Sequence, residues 1–570
     1  MGLKAMITTA QSTLCTAVTH ISVNAAHEIG PLNHDWRFFG YDECNYTYTP
    51  EGRRMLERFG KLGDAPYYVR THFLFCNGSC TGTQKFGSTN LYHEDAQGNP
   101  IYDFTYIDLI LDTILESGNK PYVELGFMPE DLADPSFRNN PWLGGLDPYR
   151  ESGWTYPPKD YHRWHGFIRT FTRHLAERYG SKEVDTWYFE LWNEPDIFYW
   201  SGSDKDYCML FDFTEQALHT VLPNARLGGP TCTGIFDQGG GRELMQTFLE
   251  HCKTGTNAAT SATGTRLDFI TFHVKGAEFP RNANATKAVP SVGNLVHQIE
   301  SGVEMIEAAG FGGLEIVLSE ADPDTWAAGG INDNANMRFR DTEYYASFVA
   351  CAYQRIAEIA QRYGAPIHPL AWAFVFPQEE CFPATRTFAT QDIVKPVFRA
   401  FDMLSRLGSH ALELSSDSTA DSALEQQLDS DYGKAAPHHY TGLGAPTMVS
   451  GWAARNDAGQ LQVLLYSHCD DIDVHEERSI ELQITGLEPN QRYQLHHWRI
   501  DGTHSNAHTQ WLAEGHPKYP AGEKYDRIKT ADALELLTPE EIITATSAGT
   551  ATLRFTMPTH AVSLLTFDLQ

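Results

Sequence analysis

The sequence predicts an α/β fold in which a (β/α)8 TIM barrel is followed by a C-terminal antiparallel β-sandwich domain. Between about residue 25 and residue 410, short apolar runs alternate with amphipathic stretches, as in a parallel sheet whose strands are joined by crossover helices. These apolar runs reach a count of eight, the number that a closed barrel of this class requires. Beyond residue 450 the runs alternate apolar and polar residues without long helices between them, which predicts the sandwich.

The barrel strands are predicted at the apolar runs, and the amphipathic stretches between them are predicted helices. In chain order the strands are 38–40, 67–70, 121–125, 186–191, 225–228, 268–272, 315–318 and 368–372. The helices between them include 107–116, 165–179 and 344–363. Each strand is therefore expected to lead into a helix on the outside of the barrel.

The chain is predicted to divide into four parts. Residues 1–24 carry Thr, Val and Ile at strand-like spacing and are expected to join the sandwich, whereas residues 25–408 form the barrel. Residues 409–450 are rich in Ser, Asp, Gly and Pro, which is typical of a connecting segment. Residues 451–570 form the sandwich, with strands at 461–468, 479–485, 493–500, 552–557 and 562–567.

Charge and apolar content exclude several classes of partner. Lys and Arg total 43 against 73 Asp and Glu, a net charge of −30 that disfavours nucleic acids and anionic membrane surfaces. No run of about 18 apolar residues occurs, so no transmembrane helix is expected. The first residues lack an apolar signal core, which favours a cytoplasmic location, or a secreted or periplasmic one if a signal peptide was removed. The ten Cys are scattered and are expected to be mostly buried, reduced thiols.

Two glutamates follow predicted buried strands, where a barrel enzyme carries its chemistry. Glu194 stands in Trp192-Asn193-Glu194-Pro195 after the aromatic run 186–191, and Glu320 follows the apolar run 314–318. Paired carboxyl groups at one barrel face are typical of glycosidic bond cleavage, in which Glu194 suits the acid/base and Glu320 the nucleophile. Taken singly, Glu194 could be an N-cap or a surface ion-pair residue, and Glu320 an ordinary strand-ending glutamate.

The motifs around both glutamates resemble glycoside hydrolase family 39, a retaining (β/α)8 family of β-xylosidases and α-L-iduronidases, over nearly the whole chain. The matching segments are Trp192-Asn193-Glu194-Pro195, Ser319-Glu320-Ala321-Asp322-Pro323, Val69-Arg70-Thr71-His72, 268–273, and Trp372 with Phe374 followed by Glu379-Glu380. Besides the two catalytic glutamates, the resemblance implies substrate contacts from His72, Asn193, His273, Lys275, Trp372, Glu379 and Glu380, with Arg70 supporting the nucleophile.

Several of these residues also have an ordinary structural interpretation. A lone His on a strand, such as His72 or His273, is more often a satisfied core residue than a sugar ligand, and only the motif favours the second role. Trp372 could belong to the core, although at a barrel rim an indole suits an apolar platform for a sugar face. Asn193 can hydrogen-bond a sugar hydroxyl next to the reacting carbon.

The residues expected to determine which sugar is bound give conflicting indications. Lys275, in His273-Val274-Lys275-Gly276-Ala277, resembles the α-L-iduronidases, in which this Lys helps to bind the substrate carboxylate. The pair Glu379-Glu380 resembles the β-xylosidases, and two carboxylates in the subsite would repel a uronate. Lys275 could instead form an ion pair with Glu379 or another acid, and Arg386 is a weaker candidate for contact with a carboxylate.

The leading hypothesis from the sequence is a retaining exo-glycosidase. It removes terminal β-D-xylose or a related pentose from oligosaccharides by double displacement through a covalent glycosyl-enzyme. An α-L-iduronidase-like hydrolase of a uronic-acid glycoside is the rival enzyme, and a catalytically dead carbohydrate-binding barrel is the rival from another class. No cofactor and no metal are expected, an oligosaccharide or glycoside is the expected partner, and a homo-oligomer is left open.

Overall fold

The computed structural model describes residues 18–78, 87–139, 153–236, 239–277, 290–326, 329–418 and 446–570. Two parts of the predicted domain organisation lie outside these ranges. They are the first seventeen residues of the 1–24 segment and residues 419–445 of the connecting segment.

The barrel predicted from the sequence is confirmed: eight parallel strands close into one sheet. The barrel strands, numbered first to eighth, are Phe38–Tyr41, Tyr68–Thr71, Lys120–Leu125, Tyr188–Leu191, Arg226–Cys232, Phe269–Lys275, Ile316–Asp322 and Ile367–Trp372. Each of them overlaps a run from which it was predicted. The eighth strand pairs with the first, with Trp372 opposite Gly40, and so closes the cylinder.

A helix follows each barrel strand and covers its outer face. The main barrel helices are Pro50–Phe59, Thr105–Glu116, Tyr161–Tyr179 with the short Ser181–Val184, Asp204–Val221, Gly240–Thr254, Val292–Ala308, Glu343–Tyr363 and Pro396–Ser405. Shorter 3-10 turns lie at Cys44–Tyr46, Glu130–Leu132, Pro135–Asn139 and Ala335–Asp341. Local chemistry fixes their starts: Thr49 accepts a hydrogen bond from the Gly52 N–H, and Ser203 forms a reciprocal capping box with Asp206.

The barrel interior is filled by side chains at its lower end. A cluster of large buried side chains from six of the strands plugs the cylinder; its members are Phe38, Tyr122, Tyr188, Phe269, Val317, Leu370 and Trp372. Because this plug closes the interior, polar chemistry is confined to the carboxyl ends of the strands.

The C-terminal part forms a curled sheet that is ten-stranded within the described residues. Its strands are Val18–Pro31, His410–Ser416, Met448–Arg455, Leu461–His468, Glu477–Thr485, Arg492–Ile500, Glu535–Leu536, Glu541–Thr544, Ala551–Pro558 and Ala561–Leu569. Helices Ala507–Ala513 and Glu523–Thr530 lie between its strands in the chain. Two further two-stranded sheets are separate from it: Tyr92–Glu94 pairs with Pro100–Tyr102, and Ala389–Thr390 pairs with Ile393–Val394. The alternating apolar residues of these strands form a core of their own.

Two features of this sheet differ from the sequence prediction. The connecting segment predicted at 409–450 contains a strand at its start, His410–Ser416, because residues 410–416 pair with strands on both sides. The sheet also contains a parallel pair, Val18–Pro31 beside Glu477–Thr485, among otherwise antiparallel neighbours. The chain enters the sheet before the barrel begins, so this strand is not joined to its neighbour by a hairpin and can run in the same direction.

Two further expectations bear on the described residues. None of the helices there has both the length and the apolar character that a membrane crossing requires. Eight cysteines lie within the described ranges, and all of them are buried free thiols.

Candidate active site

Glu194 is presented by a strained turn at the end of the fourth strand. Trp192 has φ 70° and Glu194 has φ 47°, left-handed conformations that are rare for residues with a side chain. The Glu194 N–H donates to the carbonyl of Thr231 at 3.0 Å, and the Trp192 indole donates to the carbonyl of Tyr199 at 2.9 Å. These bonds fix the turn, which brings the Glu194 carboxyl to the barrel mouth.

Glu320 lies on the seventh strand, in register with His273 of the sixth. The pairing register with the sixth strand shifts between Leu318 and Glu320, and such a shift changes the direction of the side chains that follow it. The Glu320 side chain is 7% exposed and that of Glu194 is 14% exposed. Both carboxyls are therefore nearly buried and can still be reached from the mouth.

The structure brings the two glutamates and His273 together. One oxygen of each carboxyl and the His273 Nδ1 all lie within 4.8 Å of one another. His273 Nδ1 is 2.9 Å from Glu194 Oε1 and 3.7 Å from Glu320 Oε2. A retaining glycosidase holds its carboxyls about 5–5.5 Å apart, and an inverting one holds them farther apart to admit water. The spacing suits the retaining reaction.

The same three side chains carry donor atoms that a metal ion could use. Lys275 Nζ, however, lies 2.6 Å from Glu320 Oε2 and places an ammonium where a cation would bind. Within the described ranges this is the group of His, Cys, Asp and Glu that lies close enough for a metal. Because the ammonium already pairs with one of the three donors, the set suits a lysine better than a metal ion.

The two carboxyls have opposite electrostatic environments. Burial raises the pKa of Glu194 to about 7, and the negative charge of Glu320 adds to the rise. Burial would also raise the pKa of Glu320, but the neighbouring His273 and the positive charges of Lys275, His72 and Arg70 hold it well below its ordinary value. At neutral pH one carboxyl can therefore keep a proton while the other is ionised, which is the division that acid and nucleophile need.

His273 carries no charge at neutral pH. It is fully buried, and burial lowers its pKa to about 3 against the opposing effect of Glu320. Its Nδ1 makes the contact to Glu194 described above, so the imidazole can orient this carboxyl without changing the charge of the site.

Arg70 links the second strand to the catalytic centre. Its guanidinium donates to the Asn193 side-chain oxygen at 3.0 Å, lies 3.5 Å from Glu320 Oε1 and forms a buried ion pair with Glu190. Tyr122 donates to the other oxygen of Glu190 at 3.0 Å. Arg70 thus fixes the position of Asn193 relative to the Glu320 carboxyl.

His72 approaches the same oxygen of Glu320 as Arg70, with its Nε2 3.6 Å from Oε1. Burial would lower its pKa, but the carboxylates of Glu124, 3.0 Å away, and Asp42, 3.3 Å away, raise it to about 9. His72 also has its Nε2 2.8 Å from Arg70 Nη1. Its ring centroid lies 4.4 Å from that of Trp372.

Lys275 does not contact Glu379; it bridges two carboxylates of the seventh strand. Its Nζ donates to Glu320 Oε2 and to Asp322 Oδ2, each at 2.6 Å. Arg386 donates to the same Asp322 oxygen. Lys275, Asp322 and Arg386 are called the cationic cluster below. With Asp322 ionised it carries one net positive charge directly beside Glu320.

Trp372 lies at the junction of the plug and the mouth. It is 2% exposed, and Arg70 stacks over its ring at 5.1 Å. A recess at the mouth is lined by Tyr41, Asp42, Trp372 and Arg386 among others. Trp372 therefore belongs to the core and also lines the recess, so both interpretations of this residue apply.

Glu379 and Glu380 lie in the loop after the eighth strand, and their side chains contact different parts of the protein. Glu379 accepts hydrogen bonds from the hydroxyls of Thr385 at 2.7 Å and Thr387 at 3.3 Å. Glu380 is ion-paired with Lys518 of the C-terminal part at 2.7 Å. The two carboxylates thus have separate protein partners.

Several residues of the site were not singled out from the sequence. Asp322 lies two residues after Glu320 on the same strand, so period-two alternation could have placed both on one face. Glu124 contacts His72 from the third strand. Asp196 accepts from the Thr233 N–H at 2.9 Å, and burial raises its pKa to about 6. No sequence signal marks Glu124 or Asp196.

Comparison with known proteins assigns the chain to a family. The sequence model described as "Glycosyl hydrolases family 39" matches residues 19–542. A β-xylosidase of Geobacillus stearothermophilus is 27% identical over 363 residues, which are 60% of this chain and 63% of the relative, so the match spans less than two thirds of that protein. An α-L-iduronidase of Canis lupus familiaris is 24% identical over 577 residues, covering 93% of this chain and 76% of the relative.

A solved structure shows the same fold over nearly all of this chain. It is a bacterial orthologue of human α-L-iduronidase with a TM-score of 0.75 and 20% identity, covering 97% of this chain and 84% of its own.

Proposed function

The chain belongs to glycosyl hydrolase family 39 and is a glycosidase, and on that premise we propose a double displacement in which Glu320 is the nucleophile and Glu194 the acid/base. The observation that carries the proposal is the approach of their carboxyl oxygens to within 4.8 Å of each other in opposite electrostatic environments. A catalytically dead barrel gives no reason for one buried carboxyl to favour a proton while its neighbour favours ionisation.

In the first step, Glu320 attacks the anomeric carbon while Glu194 gives its proton to the leaving oxygen. The glycosyl-enzyme ester removes the negative charge of Glu320. In the second step, Glu194 accepts a proton from water, the water attacks the same carbon, and Glu320 departs. Lys275 and Arg70 keep Glu320 ionised for the attack, and His273 holds the Glu194 carboxyl in place.

For the sugar, we propose a uronic acid of the α-L-iduronic type. The carboxylate of a pyranuronide is attached to C5, which only the ring oxygen separates from the anomeric carbon. Lys275 touches the nucleophile, so its ammonium lies close to where the C5 substituent would be, and Arg386 stands next to it on Asp322. A cation pair at this position suits a carboxylate. A xyloside has no substituent on C5 for the cationic cluster to bind.

Terminal β-D-xylose remains the second candidate because the Geobacillus relative is a β-xylosidase. The repulsion expected from Glu379 and Glu380 is reduced, since Thr385 and Thr387 occupy the first carboxyl and Lys518 the second. The pair therefore gives weaker support for a neutral sugar than the sequence suggested.

A panel of aryl glycosides decides between these sugars. We expect a higher kcat/KM for an aryl α-L-iduronide than for the β-D-xyloside, the α-L-arabinosides, the β-glucoside or the β-galactoside. Lys275→Ala removes a partner of Glu320 and should slow every substrate, but it should reduce kcat/KM for the uronide at least about tenfold more than for any neutral sugar. Equal losses on the uronide and the xyloside would contradict the uronide assignment.

The roles of the two glutamates are tested separately. Glu320→Ala should abolish turnover of every aryl glycoside. Glu194→Ala should be partly rescued by azide on an activated aryl glycoside, because a good leaving group needs no acid and azide needs no base. Turnover that persists in Glu320→Ala would contradict the assignment.

A further inference from the structure

Glu379 is held against both chain neighbours of Arg386. Its Oε2 accepts from the Thr385 hydroxyl at 2.7 Å and its Oε1 from the Thr387 hydroxyl at 3.3 Å. One carboxylate thus joins two residues that are separated by a single position. The residue between them, Arg386, has its guanidinium on Asp322 instead.

The backbone bends tightly at Arg386, where the Thr387 N–H donates to the Thr385 carbonyl at 2.9 Å across a three-residue turn. Phe374 forms a parallel bridge with Thr387, and the Phe374 N–H donates to the Arg386 carbonyl at 3.3 Å. The Lys395 ammonium donates to the Thr385 carbonyl at 3.1 Å on the side of Glu379. The short segment Thr385–Thr387 is therefore fixed through its backbone and through Glu379.

Arg386 itself points to the catalytic side. Its side chain is 4% exposed, and its guanidinium donates to Asp322, whose oxygen also accepts from Lys275 at 2.6 Å. Asp322 Oδ1 additionally accepts from the Trp372 N–H at 3.3 Å. An altered direction of Arg386 would change the cation that faces the substrate and the carboxylate that orients Lys275.

We propose that Glu379 is a positioning residue: by binding Thr385 and Thr387 it sets the direction of Arg386, and through Arg386 it sets the affinity for the substrate's carboxylate. This inference rests on the proposed function, in which the cationic cluster binds that carboxylate. It gives Glu379 a role through the protein in place of the direct sugar contact that the family resemblance implies.

A double-mutant cycle between Glu379→Ala and Arg386→Ala tests the proposal. Each single substitution should raise KM for the uronide about tenfold, the effect of losing a hydrogen bond to a charged group, with a smaller change in kcat. In the Arg386→Ala background, Glu379→Ala should change KM less than about twofold, because there is no guanidinium left to direct. Equal losses from Glu379→Ala in both backgrounds would overturn the proposal and indicate that Glu379 touches the sugar directly.

Thr387 supplies a matched pair of variants. Thr387→Val keeps the shape and removes the hydroxyl, and should raise KM in the same direction as Glu379→Ala. Thr387→Ser restores the hydroxyl and should recover most of that loss. A Thr387→Ser variant that behaves like Thr387→Val, or a KM loss that follows the unfolding midpoint across all variants, would indicate a purely structural role and overturn the proposal.

The cycle stays informative if the sugar assignment fails. The aryl glycoside panel on the unaltered enzyme decides which sugar is cleaved, and the cycle is then measured as kcat/KM on that substrate. If the panel shows that a neutral glycoside is the substrate, the uronide assignment fails. Non-additivity of the two substitutions on that glycoside would still support the positioning of Arg386 by Glu379. Additivity on a uronide would retain the substrate and reject the positioning role.

Discussion

Glu194 and Glu320 are the same amino acid in two environments at one barrel mouth. Glu194 is near the buried neutral His273 and the negative Glu320, whereas Glu320 is surrounded by Lys275, Arg70 and His72. The surrounding charges, rather than the carboxyls themselves, therefore assign the proton to Glu194. The two groups titrate as a pair, so altering one changes the other.

This coupling sets the pH dependence of activity. The acid must be protonated, so kcat/KM should fall as the pH rises through about 7, where Glu194 loses its proton. The nucleophile must be ionised, and its lowered pKa places the acidic limb well below the ordinary glutamate value. A pH–rate profile without an alkaline limb near neutrality would contradict the assignment of Glu194.

Glu320→Gln isolates the charge of the nucleophile. Without that charge, the pKa of Glu194 should fall, because the repulsion that favours its protonated form is gone. A carbon-13 titration of labelled glutamate carboxyls in the unaltered and Glu320→Gln proteins measures the difference. An unchanged or raised pKa would show that Glu320 does not act on Glu194.

Sequence reasoning at this scale found residues in strong motifs and missed their partners. Glu194 and Glu320 stand out because unusual residues follow apolar strands. Glu124 and Asp196 do not, since their roles come from which strands and loops are neighbours. Lys275 was identified from the sequence. Its partners Glu320 and Asp322 follow from the register of the sixth and seventh strands, which the sequence alone does not reveal.

At the scale of elements, the closure of the barrel places Trp372 directly over Gly40. A Cβ built on Gly40 would lie 2.3 Å from the Trp372 ring and 2.8 Å from the Arg70 carbonyl. Neither neighbour is the flexible end of a side chain. The first strand therefore needs glycine here so that the eighth can present Trp372 at the mouth.

Gly40→Ala should destabilise the barrel and displace Trp372. Overpacking of this kind costs about 1–3 kcal/mol, and the displaced indole should also raise KM. Gly166→Ala is the matched control: nothing lies within 4 Å of a Cβ at this position of helix Tyr161–Tyr179, so alanine should stabilise the helix by up to about 1 kcal/mol. Urea unfolding of both variants checks the signs, and an unaffected Gly40→Ala would contradict the packing.

Strands could be predicted from the sequence where a run of apolar residues is enough to identify them. All eight barrel strands are buried runs, which read clearly in the sequence. The strand His410–Ser416 is not such a run: several of its residues are exposed or half-buried, and it exists because neighbours on both sides pair with it. Its polar composition resembles a connection, so only the tertiary pairing reveals it.

At the scale of the whole molecule, a barrel helix joins the barrel to the curled sheet. Gln354, on helix Glu343–Tyr363, donates to the Gly451 carbonyl at 2.7 Å and accepts from the Tyr466 hydroxyl at 2.5 Å. Ser347 on the same helix contacts His468 of the sheet at 2.9 Å. The parts thus share buried polar contacts, and the barrel core extends into sheet residues such as Val562.

Gln354→Leu should weaken this junction. It removes the hydrogen bonds of Gln354 to the Gly451 carbonyl, the Ser450 hydroxyl and the Tyr466 hydroxyl, at a cost of about 2–4 kcal/mol. Tyr466→Phe, which loses one hydroxyl and leaves one acceptor, should cost about 1 kcal/mol. Urea unfolding measures both, and a Gln354→Leu variant as stable as Tyr466→Phe would contradict the role of Gln354.

Double displacement requires Glu320 to form a covalent bond to the sugar. The most direct test is to incubate the intact protein with an activated 2-deoxy-2-fluoro glycoside of the sugar it cleaves best, which slows departure of the intermediate, and to map the labelled peptide by mass spectrometry. We expect a single sugar adduct on Glu320. An adduct on another residue, or continued turnover with inverted anomeric configuration and no adduct, would contradict the mechanism.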